Sequence, residues 1–140
     1  MQGEDIRIMR KILVTLIMIV SLVTLVACSG MTTVKPIKSK IFTDEDYQAA
    51  VEALQTYFSE WEGCTMKEIS YAGDDVVYAE AEIRGASPDC LIVLKSTFVT
   101  DGEDHQNGLE PNYTYEDFTW TFERADFTSK IWDHKDHGYG

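Results

Sequence analysis

The sequence predicts an α+β domain, preceded by a signal peptide, in which one long N-terminal helix packs on a curled, mainly antiparallel sheet of about four strands. Three patterns predict it. Apolar side chains recur three and four apart at Tyr47, Ala50, Val51, Leu54, Phe58 and Trp61, which is the stripe of a half-buried helix. Phe118, Trp120 and Phe122 alternate with Thr119, Thr121 and Glu123, the two-residue period of a half-buried strand. The strand-like runs follow the helix as a group, which favours α+β over a parallel α/β sheet.

Residues 12–27 carry no charge, Arg10 and Lys11 precede them, and Leu25, Val26 and Ala27 stand immediately before Cys28. A positive start, an apolar run and a small-residue exit, in that order, make a secretory signal. The run is shorter than the roughly 20 residues a spanning helix needs. A cysteine directly after Leu-Val-Ala resembles the lipobox of bacterial lipoproteins. That resemblance implies removal of residues 1–27, covalent lipid on Cys28, and a protein held at the outer face of a cell membrane. Glu4 and Asp5 are unusual so close to a signal, and a start at Met9 in place of Met1 keeps the same signal. Residues 28–40, with Lys35, Pro36, Lys38 and Lys40, lack either period and read as the lipidated cysteine and a flexible tether. Residues 41–140 then form a single domain, enough for one modest core.

Removing residues 1–27 leaves 9 Lys and Arg against 22 Asp and Glu, a net charge of −13 where the whole chain carries −12. Such a domain repels nucleic acid and anionic surfaces, so a cationic envelope protein or small ligand is the favoured partner. Cys64 and Cys90 remain as an even pair where disulfides persist, and a bridge between them is possible.

Thr43 caps the helix, with Asp46 three residues on and Phe42 and Tyr47 at the staple positions. The stripe carries the helix over residues 44–62, and Gly63 ends it. Residues 64–71 alternate imperfectly, with Met66 and Ile69 out of phase, which fits a strand with a bulge or a late start. Residues 72–75 turn. Residues 76–83 fit a strand or a short helix equally, since Val77, Ala79, Ala81 and Ile83 alternate while Val76, Ala79, Glu80 and Ile83 follow helical spacing. After a break at 85–88, the β-branched run 90–100 reads as a central strand. Residues 101–113 form a polar loop, 115–124 a strand, 125–129 a connection and 130–134 a last strand carrying Ile131 and Trp132.

Four short pieces then resemble a group of uncharacterised small bacterial lipoproteins. They are Gly63-Cys64-Thr65 after an aromatic-rich helix end, Glu68-Ile69-x-Tyr71, Ile92-Val93-Leu94 leading to Ser96-x-Phe98, and the closing Asp136-His137-Gly138-Tyr139. The resemblance implies a helix at residues 76–83, because that segment is charged and helical in the group. Cys90 departs from the group's pattern, which weakens the case for a shared disulfide. The pattern of helix and curled sheet is also similar to cystatin-like and NTF2-like folds, which carry many unrelated functions.

Two constellations suggest metal. His134 and His137, interleaved with Asp133 and Asp136, offer nitrogen and oxygen ligands suited to zinc. Asp101, Glu103 and Asp104 crowd one loop with oxygen ligands for calcium, without the spacing of a helix–loop–helix calcium site. A solvated tail and a solvated loop are the plainer readings of both. No Ser or Cys stands beside a His in a recognisable nucleophile turn, and no Gly-rich phosphate loop or basic patch is present. The expected function is therefore a non-catalytic binding or interaction module on a lipid anchor. A divalent-metal-binding lipoprotein is the second expectation and a small NTF2-like enzyme the third.

Overall fold

The computed structural model describes residues 32–139. The signal peptide, the choice of start and Cys28 lie outside the described residues. Among the described residues no helix is long and apolar enough to cross a membrane.

The elements are β1 (Thr33–Val34), α1 (Asp44–Phe58), β2 (Cys64–Tyr71), α2 (Asp74–Arg84), a 3₁₀ turn (Pro88–Cys90), β3 (Leu91–Thr100), β4 (Thr114–Glu123) and β5 (Asp133–Gly138). The strands lie in sequence order in one five-stranded sheet. β1 runs parallel to β2 and every other neighbouring pair is antiparallel, so the sheet is mixed. This corrects the expected architecture, because two short helices stand where one long helix was expected and five strands where about four were.

Each departure has a local cause. α1 stops at Phe58 because its end tightens: Glu60 N–H bonds to Tyr57 O and Trp61 N–H to Phe58 O, three residues back instead of four. Trp61 satisfies both spacings, so the apolar stripe continues past the helix. The fifth strand is β1, two residues long, and Lys35 N–H extends its ladder to Ile69 O. Thr32 Oγ1 donates to Met66 O and Tyr47 O–H to Lys35 O, so residues 32–40 are tied to the domain instead of hanging free as a tether. Residues 76–83 are helical, with the left-handed Gly85 closing α2. β5 begins at Asp133 and not at residue 130, because Trp132 turns inward against Arg124 while Ile131 faces solvent.

α1 begins as its cap predicts. Asp46 N–H donates to Thr43 Oγ1, and Thr43 N–H donates back to Asp46, so two end groups are satisfied reciprocally. Its buried stripe of Tyr47, Ala50, Val51, Leu54 and Phe58 packs on Ile69, Leu94, Phe98, Trp120 and Phe122, all buried. Trp120 Nε1 donates to Ser96 Oγ, which satisfies the one polar atom of the largest core side chain.

Three bulges decide which residues join that face. Met66 pairs with Phe98 and Glu68 with Thr97, so Lys67 is extra in β2. Tyr115 pairs with Phe98 and Phe118 with Ser96, and the extra residue of β4 includes the left-handed Asp117. His134 pairs with Phe122 and Asp136 with Thr121, so Lys135 is extra in β5. An extra residue resets the alternation of a strand. Met66 with Ile69, Tyr115 with Phe118, and His134 with His137 are therefore brought to one face despite standing three apart.

Candidate functional site

The C-terminal end of α1 does not close against the sheet. A cleft of about 350 Å³ opens there between the turn after α1, the β3–β4 loop and strands β4 and β5. Trp61, Leu109 and Phe118 form its apolar side, and Glu60, Glu62, His105, Asn107 and His137 its polar side.

The turn brings Trp61 onto the sheet face, with ring centroids 5.0 Å from Trp120 and 5.0 Å from His137. Gly63 follows with φ 70°, a conformation that favours glycine. It also leaves room for the opposite loop, since a Cβ there would collide with His105 Nε2 and Asp101 Oδ2. Asp101 N–H bonds to Gly63 O at 2.8 Å, so the two loops are joined where the glycine makes space.

His105 is fixed at the cleft edge by Asp101, with Glu62 farther off on its other side. Its Nε2 lies 2.9 and 3.0 Å from the two Asp101 oxygens, and its Nδ1 lies 3.6 Å from Glu62 Oε2. The hydrogen bond to Asp101 raises its pKa above the usual histidine value, and the same bond lowers that of Asp101. The His105 Nε2 is committed to Asp101, which pins the loop, while its Nδ1 stands 3.6 Å from Glu62, beyond ordinary hydrogen-bond length.

On the opposite wall, His137 Nδ1 and His134 Nε2 are 3.0 Å apart. The His134 ring stacks on Tyr57 at 3.9 Å, and His137 lies against Phe118, Trp61 and Trp120. Burial, and then the charge of His137, hold His134 below the usual histidine value. The bulge at Lys135 is what makes this pair, because residues three apart on a regular strand point to opposite faces.

The expected metal residues are brought together only in part. Asp101 and Glu103 gather with His105, their ligand atoms all within 4.8 Å of one another. Asp104 accepts from Gln106 N–H in a tight turn instead. His134 and His137 form their own pair on β5. Of the expected metal residues only His137 lines the cleft, beside His105, which the sequence does not mark as a metal ligand.

Cys64 and Cys90 are free and stand at opposite ends of β3, since Cys64 pairs with Thr100 while Cys90 precedes Leu91. The nine strand steps from Leu91 to Thr100 lie between them, about 30 Å at 3.3 Å per residue, against under 7 Å for a disulfide. The possible 64–90 bridge is corrected on that ground. Burial raises both thiols above their usual pKa, with Asp101 adding to the effect at Cys64, so neither is poised as a thiolate.

Glu60, Trp61, Glu62 and Phe118 carry no binding signal in the sequence. The aromatic pair reads as core and the glutamates as solvated surface, and only the early end of α1 turns them into the walls of an opening. Comparison with protein-family models, curated proteins and solved structures gave no match to this chain.

Proposed function

We propose that the chain is a lipid-anchored module outside the cytoplasm that binds a small ligand, without catalysis, in the cleft at the end of α1. The cleft carries the reading, because its volume of about 350 Å³ lies within the roughly 300–1,000 Å³ of small-molecule sites. Its lining combines an apolar side with a few polar groups on separate elements, which is how such sites orient a ligand. The signal-like residues 12–27 and Cys28 support the anchor.

Two experiments test the two halves. Metabolic labelling with palmitate should mark the wild-type protein in the membrane fraction and leave Cys28→Ser unmarked. A wild type that takes no label contradicts the anchor. A fragment library screened by ligand-observed NMR should give hits on the wild type that Trp61→Ala loses. Identical hits on both proteins contradict the cleft.

A divalent-metal reading has one observation in its favour, the Asp101, Glu103 and His105 group. It predicts that one ion among calcium, zinc, magnesium and manganese raises the melting temperature of chelator-stripped protein. Saturation at 100 times the dissociation constant adds about 2.7 kcal/mol, a shift of several degrees for a domain of this size. No shift with any of the four removes this reading.

A further inference from the structure

We propose that the cleft selects organic cations, an ammonium or guanidinium group on a flat apolar body, over neutral or anionic molecules with the same apolar body. The proposal rests on the reading of the cleft as a ligand site. The aromatic side chains of Trp61, which is partly exposed, and Phe118, which is largely buried behind it, line the opening, and an aromatic ring attracts a cation through its quadrupole. Glu60 and Glu62 stand on the rim beside Trp61.

Neither rim carboxylate is taken up by the protein. Among the described residues Glu60 forms no salt bridge, and the Glu62 side chain, 81% exposed, meets only His105 Nδ1 at 3.6 Å, beyond ordinary hydrogen-bond length. No Lys or Arg lines the cleft. His105 brings no uncompensated positive charge, because Asp101 meets its Nε2 with both oxygens.

Two other grooves show what distinguishes this one. The groove of about 190 Å³ between α2 and β5 also holds two carboxylates, Glu80 and Asp136, but Arg84 is bonded to both. The groove of about 420 Å³ beside β1 holds one carboxylate, Asp44, together with the cation Lys35, which pairs with Glu68 at 3.2 Å. Of these three grooves among the described residues, the cleft at the end of α1 is the one that joins two unengaged carboxylates to an aromatic lining and holds no Lys or Arg. A domain carrying −13 after signal removal adds a field that concentrates cations at such an opening.

Calorimetric titration of the full lipidated protein in a neutral detergent tests the selection with three probes that share a benzyl group: benzyltrimethylammonium, benzyl alcohol and phenylacetate. The cation should bind about tenfold more tightly than the alcohol, and phenylacetate most weakly, as expected from two partly exposed charge contacts and a cation–π contact. In the double variant Glu60→Gln, Glu62→Gln, both on the exposed rim, the cation should fall to within about twofold of the alcohol. Equal or tighter binding of alcohol or phenylacetate in the wild type overturns the cation selection and leaves the cleft reading standing. Cation binding unchanged in the double variant overturns it as well. Binding of none of the three, with Trp61→Ala indistinguishable from wild type in the fragment screen, removes the cleft reading itself.

Discussion

The two ends of α1 are closed in opposite ways. At its N-terminal end, Asp46 Oδ1 lies 2.7 Å from Arg124 Nη1 and 2.6 Å from Lys130 Nζ, with the Asp46 and Arg124 side chains 8% and 2% exposed. Arg124 also donates to Asp89 O and Ser129 O and lies over Trp132 at 4.5 Å. At the C-terminal end, Trp61 and Phe118 face an opening rimmed by carboxylates that no arginine reaches. One end spends its charges on holding α1 to the sheet; the other leaves them exposed to solvent and to ligands.

The difference separates a structural ion pair from a recognition site. A buried pair must be fully bonded, because each lone charge left behind is costly. A ligand site needs the reverse, polar groups whose partners are still to come.

Asp46→Ala should break the closed end, leaving Arg124 buried without its carboxylate and α1 without its reciprocal cap. The expected loss is about 3–5 kcal/mol, measured by urea denaturation, with cleft binding weakened only through the unfolded fraction. A loss under about 1 kcal/mol would show that Lys130 and the backbone carbonyls already satisfy the site.

Gly63→Ala acts on the open end. The left-handed conformation alone costs about 1–2 kcal/mol with a side chain, and the added Cβ must push His105 from Asp101. Thermal melting should show that modest loss, and ligand titration a larger loss of binding than Asp46→Ala gives in its folded fraction.

Protonation separates the ends next. Burial alone would raise Asp46, but hydrogen bonds from Lys130, Arg124 and Thr43 hold it well below the usual carboxylate range. A depressed folded pKa means stability that is complete above the unfolded value of 3.8 and lost as pH falls below it. The raised pKa of His105 has the opposite sign: its contribution is complete below 6.5 and lost as pH rises through the folded value. His134, depressed by burial and by His137, costs stability once pH falls below 6.5. Denaturation melts across pH should therefore show an acid loss that Asp46→Ala removes. NMR titration of the imidazoles should show His105 above 6.5 and His134 below it, and the reverse order would contradict the cleft geometry.

The helix cap at the closed end was legible in the sequence, while the ion pairing of Asp46 with Arg124 and Lys130, 78 and 84 residues away, was not. Thr43, Asp46, Phe42 and Tyr47 stand within five residues of one another, and local spacing fixes a capping box and a staple. The open end was not. Its walls come from four places along the chain, and the bulges at Lys67 and Lys135 and at the left-handed Asp117 reset the alternation on which a strand's faces are read. H-x-x-H was visible, but only the extra Lys135 puts both rings on one face. β1, two residues long, is too short to show any period. Ile131 and Trp132 looked like a strand, yet Trp132 belongs to the Arg124 site at the closed end.

The most direct test of the open cleft is a backbone amide NMR map of the ¹⁵N-labelled protein titrated with benzyltrimethylammonium. Shifts should concentrate at Glu60, Trp61, Glu62, His105, Leu109 and His137 and leave Asp46, Arg124 and Trp132 unmoved. Shifts gathered around Asp46 and Arg124, or none anywhere at saturating probe, would contradict the assignment of recognition to the open end of α1.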